Sequence, residues 1–242
     1  MVLRILLAIV LFCCCRILTA GELKMAAIGT STTQATDVIT ISLINPRYSW
    51  ATGDLIDSHK IKLERERGVE VIAKNVAIPG ATSEFLWLEV DLLGDFIPDY
   101  TTVEIGANDV CQGRTVETLK HVKRLLDRLV KLNPNMEIIL VAIPRITSIR
   151  DARDTLECQA IWNITCSPLL GALVTREQRE IRQLKLDGLN YGLLKLAKNY
   201  PQVRFNMVIG ETPISDEDLS AADCFHPSVE GQQHIADVTF VN

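Results

Sequence analysis

Short apolar runs alternate along this chain with longer stretches in which apolar positions recur every three or four residues. A short apolar run that ends at turn residues is typical of a buried strand, whereas the longer periodic pattern is typical of a helix on a core. The runs that fit the strand pattern are residues 23–28, 69–73, 100–105, 136–143 and 203–208. Strands that alternate with helices in this way predict an α/β fold, with a parallel sheet covered on both faces.

The periodic stretches predict a helix after each of the first four strands and a last helix near the C-terminus. Thr175 and Gln178 form a capping box before the longest of them, because each side chain can satisfy a backbone N–H of the other residue. The predicted helices cover residues 54–67, around 85–90, 115–132, 175–199 and 227–238. Residues 145–172 are predicted to form a long loop.

Residues with catalytic potential follow several of the predicted strands. Sites in open parallel sheets lie beyond the carboxyl ends of the strands. The segments expected at that edge are 29–31, 75–80, 106–109 and 223–228. We therefore expect side chains from these four segments to meet at one place.

Residues 223–228, Asp-Cys-Phe-His-Pro-Ser, place a carboxylate and an imidazole three positions apart. An Asp that accepts from one ring nitrogen fixes the tautomer and leaves the other nitrogen free as a general base. Asp223 and His226 therefore form a candidate orienting pair, and Ser31, after the tight turn at Gly29, is a candidate nucleophile. Taken alone, Asp223 and His226 could also form a structural contact or a surface turn, and Ser31 could also be a helix cap.

Acyl transfer also needs hydrogen-bond donors aimed at the developing oxyanion. The Gly80 N–H, the Asn108 side-chain amide and the Ser31 N–H are the candidates, because all three are expected at the same sheet edge. Considered separately, Gly80 fits an ordinary turn glycine and Asn108 fits a residue that caps its own loop.

The order Ser31, Gly80, Asn108, His226 on an α/β chain resembles the SGNH hydrolase superfamily, the GDSL lipases and esterases. The resemblance lies in Ile-Gly-Thr-Ser, Asn-Val-Ala-Ile-Pro-Gly-Ala, Val-Glu-Ile-Gly-Ala-Asn-Asp and Asp-Cys-Phe-His-Pro-Ser, which run in that order through the chain. Residues 48–53 and 223–228 are similar to the phospholipase B-like branch. The resemblance extends over nearly all of residues 21–242, which it implies are one SGNH hydrolase-like domain.

The resemblance implies a three-layer α/β/α sandwich of flavodoxin-like type, with five parallel strands in the order 2-1-3-4-5. It implies ester hydrolysis through an acyl-enzyme, without a cofactor or metal. By this resemblance Ser31 is the nucleophile, His226 is the base and Asp223 orients the base. Gly80 and Asn108 join the Ser31 N–H in the oxyanion hole.

One position departs from the family pattern, because Gly-Thr-Ser stands where the family usually has Gly-Asp-Ser. The leading hypothesis is a secreted carboxylic-ester hydrolase, an esterase or lipase of phospholipase-like character. The alternative is a weakened or inactive binding protein on the same scaffold. If the family Asp braces the nucleophile loop, Thr30→Asp is expected to raise kcat severalfold. A Rossmann or flavodoxin-type nucleotide-binding domain is disfavoured, because no Gly-x-Gly-x-x-Gly loop follows a strand.

The N-terminal residues 1–20 resemble a secretory signal peptide. Arg4 supplies a basic start, residues 5–15 form an apolar segment too short to span a bilayer, and Ala20 suits the last position before cleavage. An uncleaved anchor is the alternative, which Arg16 directly after the apolar run disfavours. We therefore expect a secreted, extracellular protein.

The net charge of −5 and the lack of a Lys/Arg run argue against a nucleic-acid partner. The expected partners are a small-molecule or lipid ester and, transiently, a membrane or lipid surface. Four cysteines remain after the signal, and an even number in a secreted chain favours two disulfides, with three connectivities open. They are Cys111, Cys158, Cys166 and Cys224. Asn163 begins an Asn-Ile-Thr glycosylation sequon.

Overall fold

A computed structural model describes residues 21–41 and 43–240. The predicted signal peptide, residues 1–20, lies outside the described residues, as does the bond after Ala20. Five strands form one sheet in which every neighbouring pair is parallel, in the order β2-β1-β3-β4-β5. They are β1 (Glu22–Ile28), β2 (Glu70–Asn75), β3 (Tyr100–Glu104), β4 (Glu137–Val141) and β5 (Val203–Asn206). The predicted α/β fold and strand order are confirmed.

Helices follow the strands and pack on both faces of the sheet. Those from the first half of the chain are α1 (His59–Arg67), α2 (Leu86–Leu93), α3 (Ala107–Cys111) and α4 (Thr118–Leu132). Those from the second half are α5 (Ile149–Ala152), α6 (Leu156–Thr165), α7 (Ser167–Leu170), α8 (Arg176–Ala197), α9 (Val208–Glu211) and α10 (Val229–Thr239). Short 3₁₀ turns occur at Pro46–Tyr48, Ser83–Phe85, Thr115–Glu117 and Ile146–Ser148. Among the described residues, no helix combines the length and the apolar character that crossing a membrane requires.

The sheet separates two apolar cores, because successive side chains of a strand point to opposite faces. In β4, Ile138 and Leu140 pack with α2, α4 and α8, whereas Ile139 and Val141 pack with α1 and α10. All four of these β4 side chains are fully buried. The predicted three-layer arrangement follows from this alternation.

The predicted loop at residues 145–172 is wrong, because this segment contains α5, α6 and α7. Thr155 caps α6 by accepting a hydrogen bond from the Cys158 N–H, and Trp162 anchors the helix in the core with no exposed surface. These helices are only 4 to 10 residues long, so each has too few turns for a helical period to show in the sequence. We call residues 156–170 the α6–α7 insertion.

Two predicted helix starts are also corrected. The helix predicted at 54–67 begins at His59, because Ser58 provides the cap for its first turn. The helix predicted from Pro227 begins at Val229, because the Ser228 hydroxyl accepts from the Gly231 N–H. Pro227 therefore lies in the loop before the helix.

Both predicted disulfides form, and the structure selects one of the three connectivities. Cys111 pairs with Cys166, and Cys158 pairs with Cys224. One bond joins the α6–α7 insertion to the end of α3, and the other joins it to the loop before α10. The insertion is therefore covalently attached to the segments that carry Asn108 and His226.

Candidate active site

Ser31 lies at the carboxyl end of the central strand β1, in a tight series of turns. The Thr36 N–H donates to the Ser31 carbonyl at 2.9 Å, and the Gln34 N–H donates to the Thr30 carbonyl at 3.1 Å. Gly29 is needed before this turn, because a Cβ there would lie 2.6 Å from the Glu104 carbonyl oxygen. The close packing of β1 against β3 therefore fixes where the serine emerges.

The turn that carries His226 is built around the Asp223 carboxylate. Asp223 Oδ1 accepts from the backbone N–H groups of Phe225 and His226, each at 3.0 Å. Cys224, between Asp223 and Phe225, has a left-handed backbone, with φ at +55°, which is unfavourable for a residue with a Cβ. Its disulfide and a 2.9 Å hydrogen bond from Trp162 Nε1 to its carbonyl hold this conformation.

Ser31, His226 and Asp223 form one hydrogen-bonded chain. His226 Nδ1 contacts Asp223 Oδ2, and His226 Nε2 lies 2.8 Å from Ser31 Oγ. Because an ionised carboxylate only accepts, Nδ1 carries the ring hydrogen and Nε2 is left to accept from the serine hydroxyl. The second distance is within the ~2.6–3.2 Å reach that a general base needs.

The electrostatics of Asp223 suit an ionised partner for the imidazole. Burial alone would raise the pKa of this carboxyl, but the hydrogen bonds and charge of His226 outweigh it and hold the pKa below its ordinary value. Asp223 is therefore a carboxylate at neutral pH, able to stabilise an imidazolium.

Two buried acids lie beneath the nucleophile turn, and sequence analysis singled out neither. Thr30 Oγ1 donates to Glu104 Oε2 at 2.8 Å, and Thr33 Oγ1 donates to the same oxygen at 3.3 Å. The Gly29 N–H donates to Glu89 Oε2 at 2.7 Å. A signal for Glu104 was present, since it is the charged residue of a strand whose other residues are uncharged, and a charged residue is rarely buried without a partner.

Burial has the largest influence on the pKa of both Glu89 and Glu104. It raises the pKa of Glu89 to about 8, despite the opposing hydrogen bond from Gly29, and the charge of Glu104 adds to the rise. It also raises the pKa of Glu104, against the hydrogen bonds from Thr30 and Thr33. Thr30, at the position where the family usually has an Asp, thus donates its hydroxyl to the carboxyl group of Glu104 in β3.

Two of the candidate oxyanion residues, Gly80 and Asn108, lie on a turn and on an adjacent helix, α3. Asn108, in the first turn of α3, donates through Nδ2 to the Ala81 carbonyl at 2.9 Å. Gly80 precedes Ala81 in a turn closed by a 3.0 Å hydrogen bond from the Ala81 N–H to the Ile78 carbonyl, and its φ of +77° favours glycine. The turn hydrogen bond uses the N–H of Ala81 and not that of Gly80. Asn108 lines the cavity at Ser31, whereas Gly80 is exposed outside that lining.

A cavity of about 90 Å³ opens beside Ser31, Asn108 and His226. Its wall is largely aliphatic and comes from the segment around α5, from α9 and the loop after it, and from the loop before α10. Its apolar side chains include Ile146, Ile149, Ile209, Ile214, Leu219 and Phe225. A polar reacting centre thus faces an apolar recess.

Asp37 is a further acid at the site that sequence analysis did not single out. Its Oδ2 lies 3.5 Å from His226 Nδ1. Ligand atoms of Asp37, Asp223 and His226 lie within 4.8 Å of one another, so they are the described residues best placed to hold a cation. Because Nδ1 already carries the hydrogen shared with Asp223, hydrogen bonding explains this group without an ion.

The sequence profile of the GDSL-like lipase/acylhydrolase family matches residues 27–234. The chain belongs to this family. The match begins in β1 and ends in α10, so it includes Ser31, Gly80, Asn108 and the Asp223–His226 turn. A search of curated protein sequences found no match.

Solved structures share the fold of this GDSL-like chain. One described as a GDSL-like lipase from Parabacteroides merdae has 19% identity and a TM-score of 0.60, covering 90% of this chain and 94% of its own. The lipase Lip_vut3 from a goat rumen metagenome has 14% identity and a TM-score of 0.59, with coverages of 89% and 94%. The psychrotrophic esterase EstA from Pseudoalteromonas, inhibited by monoethylphosphonate, has 16% identity and a TM-score of 0.53, with coverages of 88% and 92%.

Proposed function

We propose that the chain is a secreted carboxylic-ester hydrolase that forms an acyl-enzyme on Ser31. The observation that carries this proposal is the 2.8 Å contact between Ser31 Oγ and His226 Nε2, with Asp223 on the opposite ring nitrogen. A serine hydroxyl is a weak nucleophile until an adjacent base removes its proton. Membership of an acylhydrolase family supports the same chemistry.

In the first half-reaction, Ser31 Oγ attacks the ester carbonyl carbon as its proton passes to His226 Nε2. The Asp223 carboxylate stabilises the imidazolium that forms. The Asn108 amide, the Gly80 N–H and the Ser31 N–H stabilise the negative oxygen of the tetrahedral intermediate. When the intermediate collapses, the alkoxide takes the proton from His226 and leaves as an alcohol, while the acyl group stays on Ser31.

In the second half-reaction, His226 takes a proton from water as the water oxygen attacks the acyl carbon. Collapse of that intermediate returns the proton to Ser31 and releases a carboxylic acid. The site thereby returns to its starting state, and one ester and one water give one alcohol and one acid.

The acyl side of the substrate is proposed to enter the aliphatic recess. Pockets for drug-sized ligands usually hold ~300–1,000 Å³, whereas this cavity holds about 90 Å³. We therefore expect a preference for short acyl chains over long ones within a p-nitrophenyl ester series. The alcohol side, including a phospholipid-like head group of the phospholipase B-like kind, would lie outside the recess.

Ser31→Ala and His226→Ala are each expected to lower kcat on the order of 10³-fold or more, and the double variant little further, because the pair acts as a unit. His234→Ala is the matched control, since His234 lines the same cavity and contacts a different acid, Asp218, at 3.0 Å. A fluorophosphonate probe should label the parent and the control but not Ser31→Ala. Unchanged hydrolysis by Ser31→Ala would refute the proposal.

The alternative of an inactive binding protein rested on Thr30. The hydrogen bond from Thr30 to Glu104 supports the hydrolase instead, because it gives the nucleophile turn a carboxyl partner from β3. A chain that binds esters without turnover would fail to label with the probe while retaining saturable ester binding.

Secretion, cleavage after Ala20 and glycosylation at Asn163 are proposed from sequence, and both disulfides are in keeping with an oxidising compartment. Asn163 is exposed, and its Oδ1 accepts from the Ala172 N–H at 2.9 Å, which leaves the amide nitrogen available for a glycan. Intact-mass analysis of secreted protein should find Gly21 at the N-terminus and no free thiols. Protein retained inside the cell with residues 1–20 attached would contradict this.

A further inference from the structure

We propose that Asp37 is a second carboxylate partner of His226, a positioning residue that supports the base alongside Asp223. This inference rests on the proposed function. It assigns a role in turnover to a residue outside the Ser31, His226 and Asp223 chain.

The contact is short enough for a direct electrostatic effect. Asp37 Oδ2 lies 3.5 Å from the same ring nitrogen that contacts Asp223, and the two side chains are largely buried, with 14% and 13% exposed for Asp37 and His226. An opposite charge within ~4–6 Å favours the charged form of a titratable group. When the Ser31 proton moves to Nε2, the imidazolium thus faces two carboxylates rather than one.

The backbone conformation and hydrogen bonds of Asp37 hold it beside His226. Its φ of +57° lies in the left-handed region, which residues with a Cβ seldom adopt and in which Asp and Asn are enriched. Its N–H donates to the Leu43 carbonyl at 2.9 Å. The Ser220 hydroxyl donates to the Asp37 carbonyl, and the Ser220 N–H donates to the His226 carbonyl at 2.8 Å. Ser220 therefore ties the Asp37 turn directly to the histidine turn.

One oxygen of the Asp37 carboxylate is available for a further interaction. Its Oδ1 is buried and finds no hydrogen-bond partner within the described part of the chain. A buried carboxylate oxygen without a partner is unfavourable. A positive charge on the neighbouring ring offsets that cost only while His226 holds the second proton. Asp37 therefore stabilises the protonated state more than the resting state, as a contribution to catalysis requires.

A purely structural role for Asp37 predicts a different pattern of effects. Structural damage would lower stability and act to the same degree whether or not Asp223 is present. Two carboxylates that serve one ring nitrogen replace each other in part, so loss of one should matter more when the other is gone.

The test combines Asp37→Asn with Asp223→Ala and measures kcat, KM and the fraction of molecules that a fluorophosphonate probe labels. Asn keeps the shape and tolerates the left-handed backbone, and Asp37→Gly removes the carboxylate while keeping the backbone if Asn fails to fold. Asp54→Asn is the matched control, since Asp54 is an exposed acid paired with Arg47 at 2.9 Å.

Asp37→Asn alone should lower kcat per labelled molecule by about 3- to 10-fold with little change in KM. Asp223→Ala should remain above His226→Ala in activity, because Asp37 still faces the ring. The double variant should fall to the level of His226→Ala, a loss of more than tenfold from Asp223→Ala.

Equal effects of Asp37→Asn in the two backgrounds, or no effect in either, would overturn the proposal. If the parent protein then still shows turnover that depends on Ser31, the proposed hydrolase function is retained and the role of Asp37 alone is refuted. A parent without Ser31-dependent turnover would refute the hydrolase function and the role of Asp37 together.

Discussion

Glu89→Gln should change stability in opposite directions at low and high pH. The Glu89 side chain has no exposed surface, and its Oε2 accepts from the Gly29 N–H at the base of the nucleophile turn. Its Oε1 is buried and unpaired among the residues that the structure describes. Glutamine has the same shape, keeps an acceptor for Gly29 and removes the titration.

The pH window follows from the raised pKa. An ordinary carboxyl of this kind titrates at 4.5, and burial raises the pKa of Glu89 to about 8. Between these values the folded protein retains a proton that the unfolded chain releases. The free energy of unfolding therefore falls as pH rises through this window and levels off above it.

The full decline corresponds to about 5 kcal/mol, at ~1.4 kcal/mol per pH unit. Glutamine avoids this decline, but its amide nitrogen takes the place of the unpaired Oε1, at a cost of about 1–3 kcal/mol. The variant should therefore be less stable than the parent by about 1–3 kcal/mol at pH 4.5 and more stable by about 2–4 kcal/mol at pH 9.

Urea unfolding of the parent and the variant, measured from pH 4.5 to 9, tests this crossing. Glu84→Gln is the control, because Glu84 is exposed and its ion pair with Arg114 is long, at 3.9 Å. Its stability difference from the parent should stay within about 0.5 kcal/mol at every pH. A Glu89→Gln difference that does not vary with pH would refute the reasoning, since it would show that Glu89 ionises alike in both states.

Three further substitutions test the site and its scaffold. Asn108→Ala should lower kcat by roughly 10²-fold with KM nearly unchanged; a large change in KM alone would assign Asn108 to substrate binding. The structure reverses the sign expected for Thr30→Asp, because a carboxylate would face Glu104, which now accepts from the Thr30 hydroxyl at 2.8 Å. We expect kcat to fall on the order of tenfold. An increase in kcat would contradict this account. Replacing Cys158 and Cys224 by Ser should lower the free energy of unfolding by about 4 kcal/mol, because the disulfide closes a long loop in the unfolded chain. The two cysteines are 66 residues apart, and urea unfolding without reductant measures the loss of stability.

The fold was predictable because its strands are short, apolar and separated by clear helix patterns. The site segments were predictable for a related reason, since Ser31, Asn108 and His226 all follow strand ends or precede a helix. Family resemblance added the roles. These signals are local in the chain and need no knowledge of how distant segments pack.

Contacts between distant segments outside the strand ends were not predictable. Nothing near Asp37 in the chain points to His226, because the contact depends on the hydrogen bonds by which Ser220 joins the Asp37 carbonyl to the His226 carbonyl. The α6–α7 insertion was missed because Trp162 and the two disulfides, rather than a long apolar stripe, hold it in place. Glu89 lies on a helix where an acid is ordinary, and only its burial beneath Gly29 makes it unusual.

The long separation between the proposed nucleophile and its proposed base has a consequence for how the molecule is made. Ser31 and His226 stand 195 positions apart in the chain. A ribosome that adds about 5–20 residues per second needs roughly 10–40 s to pass from one to the other. Throughout that interval the growing chain carries a serine whose base has not yet been synthesised. On the proposed function, reactivity should thus arise only after residue 226 has been synthesised, and any product that stops before it should hydrolyse no ester however much of its sheet has formed.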